Sequence, residues 1–338
     1  MKNILVTGGL GFIGSHTCVE LMNSGFNPVI LDNLSNSEIW IKDRIEKIAN
    51  QTVSFYNGDC RDEQLLDTIF SNESIHGIIH FAASKAVGES VLEPLKYYNN
   101  NLGGLTSILE ASKKHNCLNL VFSSSCTVYG TPDSLPVDES AKIKTAESPY
   151  GTTKIVCERI IQDLSIADST FKSILLRYFN PIGAHETSLI GELPLGVPSN
   201  LVPFITQTAA GHRNSLTVFG DDYNTKDGSC VRDFIHVTDL AKAHIKALEF
   251  LLNKNEGICE TVNIGTGNGN TVLELINAFE KVSGKKLNYS IGDRRSGDVE
   301  AVYADASKSK ELLGWEAVIS LEQALLDAWN WQQSLEVN

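Results

Sequence analysis

Thr7-Gly8-Gly9-Leu10-Gly11-Phe12-Ile13-Gly14 is the stretch on which the fold turns. Lys2 to Thr7 leads into it as a buried strand. Ser15 to Ser24 reads as a helix stopped by Gly25, and Pro28 to Leu31 as a second strand ending on Asp32. Strand, glycine turn, helix, strand, acid is the order a dinucleotide-binding unit requires. Its glycines let backbone amides and the positive helix end approach a pyrophosphate, so Gly8, Gly11, Phe12, Ile13 and Gly14 are expected there. Asp32, with Asn33 beside it, can accept hydrogen bonds from a ribose diol and would repel a 2′-phosphate. That favours NAD over NADP.

Further along, Val53-Ser54-Phe55-Tyr56 is a strand followed by Gly58-Asp59-Cys60. Asp59, with Cys60 next to it, is placed to hold an adenine amino group; capping a helix is its plain alternative. Gly77 to Ala83 is another buried strand, ending in Phe81, Ala82 and Ala83 where a flat cofactor can lie close to the backbone. Lys85 follows. Pro94 to His115 looks helical despite Gly103-Gly104, and Asn100 near its start can reach the cofactor. Strands alternating with helices predict an α/β protein built on a Rossmann-type doubly wound parallel sheet, with ligands at the strands' carboxyl ends.

A chain of 338 residues can bury a large core, here expected as two lobes. Leu175 to Asn180 is a buried strand leading into the Gly- and Pro-rich segment Pro181 to Pro203, where the chain leaves for its second lobe. The expected division is 1–180 for the NAD-binding domain, with a return at 233–264. Segments 181–232 and 265–338 form a smaller mixed α/β substrate lobe. A net charge of -13 argues against nucleic acid as a partner. Seven cysteines, an odd count without Cys-x-x-Cys pairing or a secretory leader, fit reduced thiols in a cytoplasm. No apolar run is long enough to span a membrane. His16, His80, His115, His185 and His244 show no metal-ligand spacing.

Leu118 to Phe122 is a strand that empties into Ser123-Ser124-Ser125-Cys126-Thr127-Val128-Tyr129-Gly130. Ser148-Pro149-Tyr150-Gly151-Thr152-Thr153-Lys154 comes later. Ser148 suits an N-cap and Pro149 the first helical position, so Tyr150 and Lys154 project from one face a turn apart. In such a fold the serine strand ends beside that helix. Tyr150 is then a general acid/base, Lys154 the cation that lowers its pKa, and Ser125 the partner of both the phenol and a substrate hydroxyl, with Ser124 the alternative. Bringing a phenol from ~10 to neutrality takes about 4 kcal/mol. A helix end supplies only ~0.3–1 kcal/mol, so further positive charge is required. Tyr-x-x-x-Lys alone is common on ordinary surface helices; the combination with the glycine turn and serine strand is not.

Taken together, Thr7 to His16, Phe81 to Ser90, Phe122 to Gly130, Ser148 to Lys154, Arg177 to His185 and Val231 to Ala241 resemble the extended short-chain dehydrogenases/reductases that act on nucleotide sugars, and among these the nucleotide-sugar epimerases. The resemblance spans most of the chain in order. It implies bound NAD, a UDP-hexose substrate inverted at C4 through a 4-keto sugar, a homodimer, and a Ser125–Tyr150–Lys154 catalytic set. It also places Phe179 and Lys85 at the cofactor. Lys85, Asn180, Asn200 and Leu201 are carried to the substrate. Arg295 resembles a phosphate clamp and Asp298 a ribose acceptor. Arg232 is a natural diphosphate partner because its fork bonds two oxygens. Phe219 can stack on a uracil, although an aromatic in a strand is more often core. For the homodimer, Ile155, Ile160 and Leu164 on the Tyr150 helix are equally suited to packing within one subunit.

Val302 stands where many glucose-specific relatives carry tyrosine, which leaves room at the sugar's C2 for an N-acetyl group. Ser84 replaces a frequent leucine, and nothing in the sequence explains it. Rival chemistries fare less well. A 4,6-dehydratase carries an Asp-Glu pair before Val-Tyr-Gly, where this chain has Cys126-Thr127. Cys126 could suggest 3,5-epimerisation, but a small buried cysteine is the plainer reading. No uronic-acid pocket for a decarboxylase is identifiable, and a silent NAD-binding sensor would not need the Ser125–Tyr150–Lys154 set.

Overall fold

The computed structural model describes residues 1–295 and 297–335. Six strands, β1 (Asn3–Thr7), β2 (Asn27–Asp32), β3 (Ser54–Asn57), β4 (Ile75–His80), β5 (Asn119–Ser125) and β6 (Lys172–Tyr178), are joined by a seventh, Ile258–Ile264. They form one sheet, ordered β3-β2-β1-β4-β5-β6 with the seventh strand outside β6, and every pairing is parallel. Its interior strands are nearly continuous apolar runs: Ile4, Leu5 and Val6, Ile78 and Ile79, and Leu120 and Val121 are fully buried. Helices cover both faces, as a sheet apolar on both sides demands. Phe12–Asn23 and Val237–Leu252 pack on one face, Gly103–Lys114 and Pro149–Ala167 on the other.

The strand order reverses between β1 and β4, and the crevice at that reversal faces the carboxyl ends where ligands bind in such sheets. A second core lies outside the sheet. Helices Leu201–Ala209, Val272–Ser283 and Leu321–Ser334 bury Ile205, Phe279 and Trp329 together with Leu216 and Val218. Thr271 and Glu274 form a capping box at the start of the second of these. Asn180–Ile182 pairs with Phe234–His236 where the chain leaves and re-enters the sheet region. Within the segment assigned to the substrate lobe, Ser296 and 336–338 lie outside the described residues. Among the described residues, no helix is long and apolar enough to cross a membrane.

Pro94 to His115 is helical as expected, and it carries a feature that periodicity does not show: Pro94–Tyr97 passes through a π-helical turn, Tyr98–Leu102, before Gly103–Lys114. Asn101 is turned inward there and its side chain is tied to Thr153 Oγ1 at 2.9 Å, to the Ser84 carbonyl at 3.1 Å and to the Ser84 amide at 2.8 Å. The wide turn accommodates that inward residue, a placement such turns often have beside functional sites.

Candidate active site

The glycine turn is shaped for close approach. Gly8 has φ +69°, and a Cβ there would sit 3.0 Å from the Ala82 nitrogen; one on Gly14 would sit 2.2 Å from the Gly8 carbonyl. Side chains are excluded from both positions, which draws the turn against β4 and the first helix against the turn. Gly11 caps that helix with no side-chain acceptor, so the orphan amides around Phe12 and Ile13 are left for a ligand. The cradle and its unclaimed donors fit a dinucleotide pyrophosphate. Asp32 accepts from the Leu10 amide at 3.0 Å, the Leu34 amide at 3.0 Å and Ser37 Oγ at 2.8 Å, which sets its carboxylate at the crevice.

Asp59 accepts a two-pronged bond from Arg61, Nε at 2.8 Å and a terminal nitrogen at 2.7 Å, and Asn33 donates to it at 3.2 Å. The Arg61 hydrogen bonds hold its carboxyl down at about 2. Asp62, not Asp59, caps the following helix by accepting from Gln64 and Leu65. Cys60 is buried against Gly104, where a Cβ would lie 2.8 Å from its sulfur. Phe81, Ala82 and Ala83 follow β4 as a half-buried floor. Asn100 donates to Asn101 at 3.1 Å, and Phe179 is buried just past β6.

Helix Pro149–Ala167 begins as its sequence dictates: Ser148 Oγ accepts from the Gly151 amide at 3.2 Å and Pro149 takes the first position. Ser125 is placed to act on the Tyr150 hydroxyl, whose pKa it pulls down. Ser124 is fully buried and donates to Glu158 Oε1 at 2.5 Å, so its hydroxyl is engaged away from Tyr150. Lys154 donates to the Ser123 carbonyl at 2.6 Å, and its ammonium lies 5.9 Å from the Tyr150 ring centre.

The expected depression of the Tyr150 pKa is not found in the protein alone. Burial pushes the phenol up, the neighbouring Tyr178 adds to this, and the Ser125 hydrogen bond opposes it. Lys154 itself is brought down by burial to about 8, with Cys157 and Glu158 pulling it back up. The physical reason is that desolvation of a phenolate dominates here, with Tyr178 reinforcing it and only the Ser125 hydroxyl opposing it.

At the other end of the crevice, four of the sequence-derived substrate residues meet. Arg295 donates to Asp298 Oδ1 at 2.8 Å and Oδ2 at 3.1 Å, Arg232 lies 3.6 Å from the same Oδ1, and the Arg295 guanidinium sits 5.6 Å over the Phe219 ring. Strand Leu216–Phe219 buries Leu216 and Val218 and exposes Phe219, so this aromatic is not core. Asn180, Asn200 and Leu201 line a common cavity with Glu192. Glu192 Oε1 accepts from Asn200 at 2.5 Å and pairs with Lys85 at 3.5 Å. No local pattern marks Glu192, and sequence reasoning missed it. Val302, paired in register with Arg232, is buried with Val128, Tyr129 and Phe179. Half-buried Cys126 joins the two ends: burial pushes its thiol up to about 12, Arg232 opposes this, and its charge would be felt at Tyr150.

A family model described as GDP-mannose 4,6 dehydratase matches residues 5–327. The UDP-glucose 4-epimerase of Bacillus subtilis (strain 168) is 51% identical over 331 residues, covering 98% of this chain and 97% of that protein. The chain belongs to the UDP-glucose 4-epimerase family. Among solved members, UDP-glucose 4-epimerase from Bifidobacterium longum in complex with NAD+ and UDP has a TM-score of 0.95 and 46% identity, covering 98% of each chain. The UDP-Glc/GlcNAc 4-epimerase from Campylobacter jejuni has a TM-score of 0.85 and 36% identity, over 99% of this chain and 100% of that one.

Proposed function

We propose that this protein interconverts UDP-glucose and UDP-galactose by inverting C4, keeping NAD bound through the cycle. The observation that supports this reading is that one chain carries a glycine cradle, Tyr150 with Ser125 acting on it and Lys154 bound to the Ser123 carbonyl, and the Arg232–Asp298–Arg295 cluster. NAD, when bound, would supply the redox chemistry, taking hydride from C4 and returning it to the other face of the 4-keto sugar. The residues proposed to hold it are Gly8, Gly11–Gly14, Asp32, Asn33, Asp59, Cys60, Phe81–Ala83, Lys85, Asn100, Tyr150, Lys154 and Phe179.

The chain's own groups divide the remaining work. Tyr150 takes the C4 hydroxyl proton and gives it back, Ser125 orients that hydroxyl, and Lys154 supplies positive charge behind the phenol. Arg232, Arg295 and Asn200 grip the diphosphate and Phe219 stacks on the base. Firm hold on UDP and a loose hold on the hexose let the sugar turn over, so binding energy is spent away from the reacting carbon.

The small Val302 supports a second substrate, UDP-N-acetylglucosamine, and the Campylobacter jejuni relative, named for both sugars, points the same way. A homodimer is the proposed assembly. Leu92, Leu95 and Ile166 are each at least 80% exposed, on or beside Val87–Leu92 and Pro149–Ala167, helices that touch each other. Sedimentation of a Leu92→Glu, Leu95→Glu variant as a monomer would support it; an unchanged mass would remove this patch from the interface. Dehydration, suggested by the name of the family model, is disfavoured by Cys126-Thr127 in place of paired carboxylates.

Incubating purified protein with UDP-galactose and no added cofactor tests the reading. UDP-glucose accumulating to equilibrium supports it. Loss of water to a 4-keto-6-deoxy sugar would favour dehydration, and steady reduction of external NAD would favour a dehydrogenase.

A further inference from the structure

Three consecutive residues of β5 each receive one residue of helix Pro149–Ala167, and the helical partners are four apart. Ser125 meets Tyr150, the Ser123 carbonyl takes Lys154, and Ser124 donates to Glu158. Spacing of i, i+4, i+8 lays all three along one face of the helix. The third contact has no part in the proposed chemistry, yet it is the most deeply buried. Glu158 and Arg177 have side chains 1% and 4% exposed. Arg177 Nε reaches Oε1 at 2.8 Å and a terminal nitrogen reaches Oε2 at 2.6 Å. The guanidinium lies 4.9 Å over the Tyr129 ring, and the Tyr129 hydroxyl donates to Asn263 Oδ1 at 2.6 Å. The network therefore crosses β5, β6 and strand Ile258–Ile264 and ends on the helix.

We propose that Glu158, anchored by Arg177, is a positioning residue that fixes the rotation of the Tyr150 helix and keeps Lys154 charged. This rests on the reading of Ser125, Tyr150 and Lys154 as the catalytic set. A buried ion pair is weak as a source of stability, since apolar replacements often match it; its value lies in specifying one arrangement. Glu158 is the carboxylate that faces Lys154 from the same helix, beside the Cys157 thiol. On the sheet side Lys154 meets the Ser123 carbonyl, the Phe122 ring at 5.0 Å and His80, which burial keeps neutral. Positioning by Glu158 thus has both a steric and an electrostatic arm.

Glu158→Gln keeps the shape, removes the negative charge and leaves Arg177 uncompensated. Both changes disfavour protonated Lys154. The alkaline limb of kcat/KM should move to lower pH by about one unit, a loss of ~5-fold at the wild-type midpoint that approaches ~10-fold above it. Affinity for UDP should be unchanged. The double variant Glu158→Gln, Arg177→Gln buries no lone charge and should fold even if the single does not; its limb moves the same way by less. An unmoved limb in the folded variants overturns the proposal, as does weakened UDP binding with no shift in the limb. Lys154→Met separates the two levels. Full turnover in that variant sinks the catalytic reading itself, whereas its inactivity alongside an unmoved Glu158→Gln limb sinks only the positioning role.

Discussion

Ser124 and Ser125, neighbours on one strand, both reach helix Pro149–Ala167 but two turns apart: Ser124 Oγ donates at 2.5 Å to buried Glu158, while Ser125 acts on Tyr150 in the helix's first turn. Ser125→Ala should lower kcat by about 10²-fold, within the range for loss of a group assisting proton transfer. Ser124→Ala should leave kcat within a few-fold and cost about 1–3 kcal/mol in urea unfolding, because the buried carboxylate loses a donor. Equal kinetic losses would contradict the assignment.

Asp298 holds both Arg295 and Arg232, so the two guanidiniums are already oriented at the proposed nucleotide end. A charge-assisted hydrogen bond to phosphate is worth about 1.5–3 kcal/mol. Arg295→Ala should therefore raise KM for the UDP-sugar by ~10-fold or more with kcat little changed, the signature of lost uniform binding. A fall in kcat at constant KM would place Arg295 in the chemistry instead.

Burial holds three histidines neutral: His16 at about 3, His80 at about 3 and His244 at about 4. Unfolded, each takes up a proton near 6.5, so below that pH the unfolded state binds more protons and stability falls. The loss is at most about 1.4 kcal/mol per pH unit for each histidine. The urea midpoint should drop between pH 6.5 and 5. A midpoint constant across that window would mean that these rings titrate in the fold.

Val302 lies in register with Arg232 and is buried in one cluster with Phe179, and the proposed function sets this small side chain beside the sugar. Val302→Tyr should reduce turnover of UDP-N-acetylglucosamine relative to UDP-glucose by ~10-fold or more, as a clash with one substrate does. An unchanged ratio would end the size explanation for acetylated sugars.

Residues whose roles follow from neighbours in sequence were legible before any coordinates. Gly8 to Gly14 with Asp32, and Ser148 to Lys154, carry their geometry locally, through a turn, a cap and a helical repeat. Arg232 and Arg295 stood out in the sequence as candidate phosphate partners, but their common tether to Asp298 did not, since it brings together residues more than sixty positions apart. Glu192 gave no local signal at all: its meaning lies in Lys85 and Asn200, which only the fold brings to it. Glu158 sits four residues after Lys154, and that spacing could have marked it; its partner Arg177 hides in an apolar strand. The π-helical turn at Tyr98–Leu102 follows from what Asn101 reaches, which no periodicity records. The upward push on Tyr150 was missed because burial of a phenol is a property of packing, not of its helix.

Proton transfer at a buried phenol is the claim on which the rest stands, and Tyr150→Phe with its binding and turnover measured side by side tests it most directly. UDP affinity should stay within a few-fold of wild type while conversion of UDP-galactose to UDP-glucose falls at least ~10³-fold. Near-normal conversion by the phenylalanine variant would contradict the mechanism outright.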